Sequence, residues 1–145
     1  MGSKVAFEKC LKKNGLKIAS AATQLVGKEI EAAATDLQEA KAGLARQSYK
    51  WSTIQSYYAM FHLARALLYA KGYREKSHYC LRVALEALYV EDGDLPVHIV
   101  DAFQVAKELR ENADYEAHFS ESGARKLVSA AEDFFLYVAR SERTP

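Results

Sequence analysis

A chain of 145 residues, half of them apolar, has room for one domain with a sizeable core but not comfortably for two. Its formal net charge of +1 gives no global field to attract nucleic acid or a membrane surface. Two prolines and seven glycines supply few turn signals. Neither the closely spaced alternating runs of a β-protein nor an apolar run of the roughly 18 residues a membrane span needs is present.

Residues 1–22 carry the weakest pattern. Val5, Phe7, Leu11 and Leu16 are compatible with a short helix or an arm, and Gly15 interrupts them. From 23 to 44 the spacing is helical: Leu25, Ile30, Ala33, Leu37, Ala40 and Leu44 fall near one face, in an alanine-rich segment that favours helix. Residues 45–50 read as a connector, with Ser48 or Ser52 able to cap the next helix. Residues 51–71 form the longest clear helix, apolar around most of its circumference, as expected of a central element. Gly72 sits where a left-handed C-terminal residue belongs. A short basic loop over 73–76 leads to Ser77, which can cap a helix through Tyr89. Gly93 and Pro96 bound a turn, and Pro96 suits the start of a helix to about Asn112. Residues 113–121 are polar and read as a loop. Residues 123–140 form a last amphipathic helix, followed by a frayed tail over 141–145. The expectation is an all-α, up-and-down bundle of four to five helices over 23–140, preceded by an N-terminal arm or short helix.

The charge is unevenly distributed. Lys4, Lys9, Lys12, Lys13 and Lys17 oppose only Glu8, and Lys71, Arg74, Lys76 and Arg82 oppose only Glu75. Such patches could meet a phosphate, although solvated helix ends and loops account for them more simply. Cys10 and Cys80 stand alone, with no CxxC pair and nothing resembling a disulfide framework. With no secretory signal in the sequence, this points to a reducing cytoplasm.

Several chemistries have no foothold. No glycine-rich phosphate loop and no GxSxG elbow occurs. The four histidines, His62, His78, His98 and His118, lie far apart, and none has metal-ligand spacing with another His or Cys. No cofactor is expected. An enzyme on this chain would work through Arg, His, Tyr and Asp.

Three constellations remain. Tyr58, His62, Arg65 and Tyr69 follow i, i+4, i+7, i+11 spacing and share one side of the central helix. Burying Arg65 or a charged His62 unpaired would be costly, so that side is expected to face a groove, a second subunit or solvent, as a satisfied hydrogen-bond network at a dimer seam or as a pocket wall for an anion or a base. Lys76 and His78 flank a helix start whose N–H groups suit a phosphate, or simply a cap. Arg110 and Asp114, four residues apart, can pair at a helix end, worth only ~0.3–0.5 kcal/mol as a surface contact.

The runs Ser56-Tyr57-Tyr58-Ala59-Met60-Phe61-His62, Ala64-Arg65-Ala66-Leu67-Leu68, Lys71-Gly72-Tyr73 and Lys76-Ser77-His78 resemble the HEPN family of prokaryotic helical proteins. Arg110 with Ala113-Asp114-Tyr115 is similar to a later motif of the same branch. The likeness spans roughly residues 28–140 and leaves the N-terminal arm uncovered. It implies a bundle of about five helices that dimerises, often as one component of a toxin–antitoxin pair with a small nucleotidyltransferase. Many relatives of this kind are metal-independent ribonucleases, in which an arginine and a histidine separated by four to six intervening residues meet across a dimer. There histidine would act as general acid or base and arginine would stabilise the phosphate.

This chain departs from that motif. Arg110 matches the arginine, but Tyr115, Glu116 and Ala117 occupy the histidine positions and His118 is one residue too far. Arg74 and His78 are one residue too close. His62 or His78 would have to reach Arg110 in space. The leading expectation is therefore a weakly catalytic or non-catalytic protein that binds nucleotide or RNA phosphate, with no base-specific reading of DNA. Arg110, Lys76 and His78 would meet phosphate, Tyr58 and Tyr115 would lie beside a base or ribose, and Asp114 would orient Arg110. His62 and Arg65 would complete the pocket wall. The alternatives are a ribonuclease and a purely dimeric interaction module.

Overall fold

The structure is a computed structural model that describes residues 2–143, with side chains described through Arg140. Six α-helices carry it among the described residues: α1 (Gly2–Lys12), α2 (Val26–Ala45), α3 (Tyr49–Ala70), α4 (His78–Leu85), α5 (Val97–Tyr115) and α6 (Glu121–Arg143). A 3₁₀ segment, Ser20–Leu25, precedes α2, and a π-helical turn, Glu86–Val90, extends α4. The all-α bundle expected from the periodicity is present.

Helix α3 is the central element because it is apolar almost all round. Met60, Leu63 and Leu68 are fully buried, and α2, α4, α5 and α6 all pack on it. Phe103 of α5 and Phe134 of α6 fill the core on that side. Helices α2 and α3 are joined by only three residues, with Gln47 left-handed at φ 65°. Ser48 is the N-cap position but makes no side-chain cap bond. Ser52 instead donates its hydroxyl to the carbonyl of Ala40 at 2.8 Å, locking the two helices together inside the core. Gly72 adopts φ 81°, the left-handed conformation that ends α3 as the sequence predicts. The Ser77 hydroxyl accepts from the Cys80 amide at 3.1 Å and caps α4.

The structure corrects the sequence reading at several points. The 73–76 loop is largely a strand. Tyr73–Glu75 (β2) pairs antiparallel with Leu16–Ile18 (β1), in the register Leu16↔Glu75, Lys17↔Arg74, Ile18↔Tyr73. Three-residue strands are too short to show a period, which is why periodicity missed them. The N-terminal segment is a helix followed by this strand. Helix α5 runs through Tyr115, so 113–115 are helical. Helix α6 continues to Arg143 rather than fraying at 141, and 144–145 lie outside the described residues.

The largest correction concerns the cysteines. Cys10 and Cys80 are disulfide-bonded, with Cα atoms 5.8 Å apart across 70 residues of sequence. The turn at Asn14 (φ 62°) and Gly15 folds the end of α1 over α4. A Cβ on Gly15 would stand 2.5 Å from the Cys80 sulfur, so this close approach requires glycine. The expectation of two separate thiols is overturned, and with it one of the grounds for a reducing cytoplasm. No helix among the described residues is long and apolar enough to cross a membrane.

Candidate functional site

The expected site residues fall into three groups. The first is built around Tyr57, which α3 points at α5. Tyr57 is 6 % exposed, and its ring stacks against Phe103 at 5.8 Å on α5, His78 at 6.0 Å at the start of α4 and Phe61 at 6.1 Å on its own helix. His78 and Phe103 are 4.7 Å apart. Burial pushes the Tyr57 phenol up to about 12, with the Arg110 charge opposing it only in part. Tyr57 is thus a neutral platform at any working pH.

Arg110 lies over this platform. Its Cζ is 5.7 Å from the Tyr57 ring centroid, 5.3 Å from that of Tyr58 and 5.6 Å from that of Tyr115. Its Nη2 donates to the Tyr58 hydroxyl at 2.7 Å and approaches Asp114 Oδ2 at 3.6 Å. Desolvation disfavours the guanidinium charge, but Tyr58, Tyr115 and Asp114 together outweigh it and hold the group above its ordinary value. Arg110 is therefore a fixed cation in an aromatic cage. Its Nε is covered and has no partner among the described residues, and the same holds for His78 Nε2. Each retains hydrogen-bonding capacity inside the cluster.

His78 is neutral. Burial first, then the charges of Lys107 and Arg82, lower its pKa to about 4, and Glu111 opposes them. Lys107 is itself paired with Glu111 at 3.1 Å. Arg110, Asp114, Tyr115, Tyr58 and His78 thus come together from three helices. The platform residues Tyr57 and Phe103 were absent from the expected site. Their signal was i, i+7 spacing from Phe103 to Arg110 and sequence adjacency to Tyr58, both indistinguishable from core packing.

His62 and Arg65 belong elsewhere. His62 Nδ1 is 3.1 Å from Glu29 Oε2, and its Nε2 is 3.6 Å from Asp36 Oδ2. Arg65 Nε donates to Glu75 Oε2 at 2.8 Å and Arg65 Nη1 reaches Glu29 Oε1 at 3.5 Å. This side of α3, expected to face a groove, a subunit or solvent, is part-exposed, with the His62 and Arg65 side chains 23 % and 30 % exposed and Arg65 lining a small cleft with Glu29, Tyr69 and Arg74. The carboxylates of α2 and β2 lie against both side chains and offset the cost of their partial burial. His62 is consequently not a partner for Arg110. Tyr69, at 2 % exposure, is core, with the Arg74 guanidinium 5.3 Å from its ring.

Lys76 forms the third location. It is exposed on the β-ribbon beside Lys17, and that neighbouring cation lowers its pKa. His118 is turned away from Arg110. Ala117, at φ 53°, reverses the chain after α5, and His118 lines a shallow cleft with Leu109, Asn112 and Phe119. Among the described residues, no group of three His, Cys, Asp or Glu side chains is placed to hold a metal ion.

Comparison with known proteins bears on this arrangement. The family model described as the HEPN domain matches residues 27–141, which contain the whole Tyr57–Arg110 cluster and exclude α1 and β1. No curated protein matches the sequence. The crystal structure of TT1696 from Thermus thermophilus superposes with a TM-score of 0.67 at 21 % identity, over 80 % of this chain and 97 % of that one. At that identity the likeness speaks for the fold alone.

Proposed function

The chain belongs to the HEPN domain family, and from that premise we propose that it binds the phosphate of a nucleotide or RNA at the Arg110 cluster. The observation that carries the reading is a cation caged by three tyrosine rings, with an uncommitted Nε and a neutral imidazole on the same platform. Arg110 would take the phosphate through its planar fork. Tyr58 would hold that fork in place, and the 72 % exposed Tyr115 would offer a face to a base or ribose. Asp114 would keep Arg110 extended along α5. We place the protein, as a homodimer, in a toxin–antitoxin type module with a nucleotidyltransferase; that part rests on the family alone.

A ribonuclease is the second reading, favoured by one observation: His78 shares the Tyr57 ring with Arg110. Its low pKa weakens this reading. A ring titrating near 4 is unprotonated at neutral pH, so it cannot serve as the general acid and is a feeble base.

Titrating the protein with ATP and with short RNAs, in wild type and Arg110→Ala, tests the proposal. Binding by the wild type that falls at least tenfold in the variant supports it. Equal binding by both, or by neither, overturns it.

A further inference from the structure

We infer that the small cleft where the start of α2 meets α3 and β2, lined by Lys28, Glu29, Arg65, Tyr69 and Arg74, binds one free inorganic phosphate ion. This site is separate from the Arg110 cluster. Tyr69 follows Tyr58 on α3 by about 16 Å along the axis, at 1.5 Å per residue.

The cleft is rich in donors. Arg74 lays its guanidinium on the Tyr69 ring, with Cζ 5.3 Å from the centroid. Among the described residues, no carboxylate pairs with Arg74 or Lys28. Arg65 is fixed from three sides: Glu75 accepts from its Nε at 2.8 Å, Glu29 lies 3.5 Å from its Nη1, and the Phe61 ring lies 4.5 Å from its Cζ. Tyr69 is 2 % exposed, and among the described residues its hydroxyl makes no hydrogen bond. A phenol so buried without a partner is costly, and a ligand oxygen in the cleft would accept from it. Leu25, the N-cap of α2, also lines the cleft and makes no side-chain cap bond, so the positive end of that helix adds to the field. Lys28, Arg65 and Arg74 outnumber the carboxylates Glu29 and Glu75, which leaves an excess of positive charge.

Size and one carboxylate select the ligand. The cleft holds about 150 Å³, below the roughly 300 Å³ at which pockets for drug-sized molecules begin, so a base and ribose find no room. A tetrahedral oxyanion fits. Glu29 is 9 % exposed, and its Oε1 is held by Arg65 only at 3.5 Å. That oxygen repels an anion without a proton and accepts a hydrogen bond from one that keeps a proton. Inorganic phosphate retains a P–OH group at neutral pH, whereas sulfate has none. A monoester such as AMP has lost its last phosphate proton by about pH 7.5, since its second pKa is about 6.

The test follows the Arg65 and Arg74 Nε–H signals and the Lys28 and Glu29 amides by nuclear magnetic resonance. Sodium phosphate, sodium sulfate or AMP is added at constant ionic strength. The proteins are wild type, Arg110→Ala, Arg74→Gln, Tyr69→Phe and the off-site control Lys126→Gln. Phosphate should shift these signals saturably at millimolar concentration in wild type, Arg110→Ala and the control alike, and should raise the thermal unfolding midpoint. Sulfate and AMP should require at least tenfold more. Arg74→Gln should lose tenfold or more in phosphate affinity and Tyr69→Phe threefold or more, with unfolding midpoints in the absence of phosphate confirming that both fold. No saturable response to phosphate overturns the inference, as does an equal response to sulfate or unchanged affinity in Arg74→Gln. Loss of the response in Arg110→Ala also overturns it, because phosphate would then enter only at Arg110. A response kept in Arg110→Ala, when AMP leaves the Arg110 signal of wild type unmoved, keeps this cleft and removes the Arg110 reading.

Discussion

Arg110 and His78 lie against one ring: the guanidinium carbon is 5.7 Å from the Tyr57 centroid, and the imidazole stacks 6.0 Å from it. They belong to different helices, far apart in sequence. Because the platform is rigid and neutral, the two groups are held in fixed relation. The consequences of that relation, and of the packing beneath it, are measurable.

Removing the Tyr58 hydroxyl should loosen Arg110 without unfolding the protein. Tyr58 is half-buried, and its hydroxyl accepts a charge-assisted bond from Arg110. Such a bond is worth roughly 1.5–3 kcal/mol. In Tyr58→Phe, nucleotide affinity should fall about tenfold, read by calorimetry, with the circular dichroism spectrum unchanged. Affinity equal to wild type would show that the hydroxyl does not position the cation.

His78 should make the protein sensitive to acid. Its folded pKa of about 4 lies below its ordinary 6.5, so folding favours the neutral ring. The associated stability is fully present above pH 6.5 and is lost as pH falls through about 4. The shift corresponds to about 3 kcal/mol. Other groups titrate over the same range, so the readout is the difference between wild type and His78→Phe in urea unfolding at pH 7, 5 and 4. The variant should lose less stability than wild type on acidification. Parallel curves would contradict the assignment.

Phe103 supports both Tyr57 and His78 and touches Phe134, and it is fully buried. Truncating it should cost about 3–5 kcal/mol. Chemical unfolding of Phe103→Ala should show that loss, along with weakened nucleotide binding. A cost below about 1 kcal/mol would mean the aromatic stack is not the base of the site.

The disulfide should matter for stability. It closes a loop of 70 residues, for which chain entropy gives about 4 kcal/mol. Thermal unfolding should therefore begin at lower temperature in reductant, and Cys10→Ser should match the reduced wild type. Mass spectrometry of the unreduced protein should show two hydrogens missing. Two intact thiols in protein purified under air would contradict the pairing.

The elements that position this site were largely legible in the sequence, and its boundaries were not. The apolar run of α3, the left-handed Gly72 and the Ser77 cap each follow from local chemistry, and each stands where it was expected. Arg110 with Asp114 was visible as an i, i+4 pair. What escaped was non-local. Nothing local marks Cys10 as the partner of Cys80. Strands of three residues carry no period. Glu29 and Asp36, the carboxylate neighbours of His62, sit in ordinary helix positions one heptad apart on α2, where a carboxylate normally meets solvent. Without them the stripe on α3 read as a bare wall, where it is a half-buried network with Glu29, Asp36 and Glu75.

Everything proposed for the Arg110 cluster depends on ligand phosphate meeting that guanidinium on the Tyr57 platform. The decisive experiment is nuclear magnetic resonance of labelled protein titrated with AMP. The Arg110 Nε–H signal and the His78 ring should shift, together with the Tyr58, Asp114 and Tyr115 amides, while Glu29, His62 and Arg65 stay unperturbed. Shifts confined to the Glu29–His62–Arg65 network, or none at millimolar AMP, would contradict phosphate binding at Arg110.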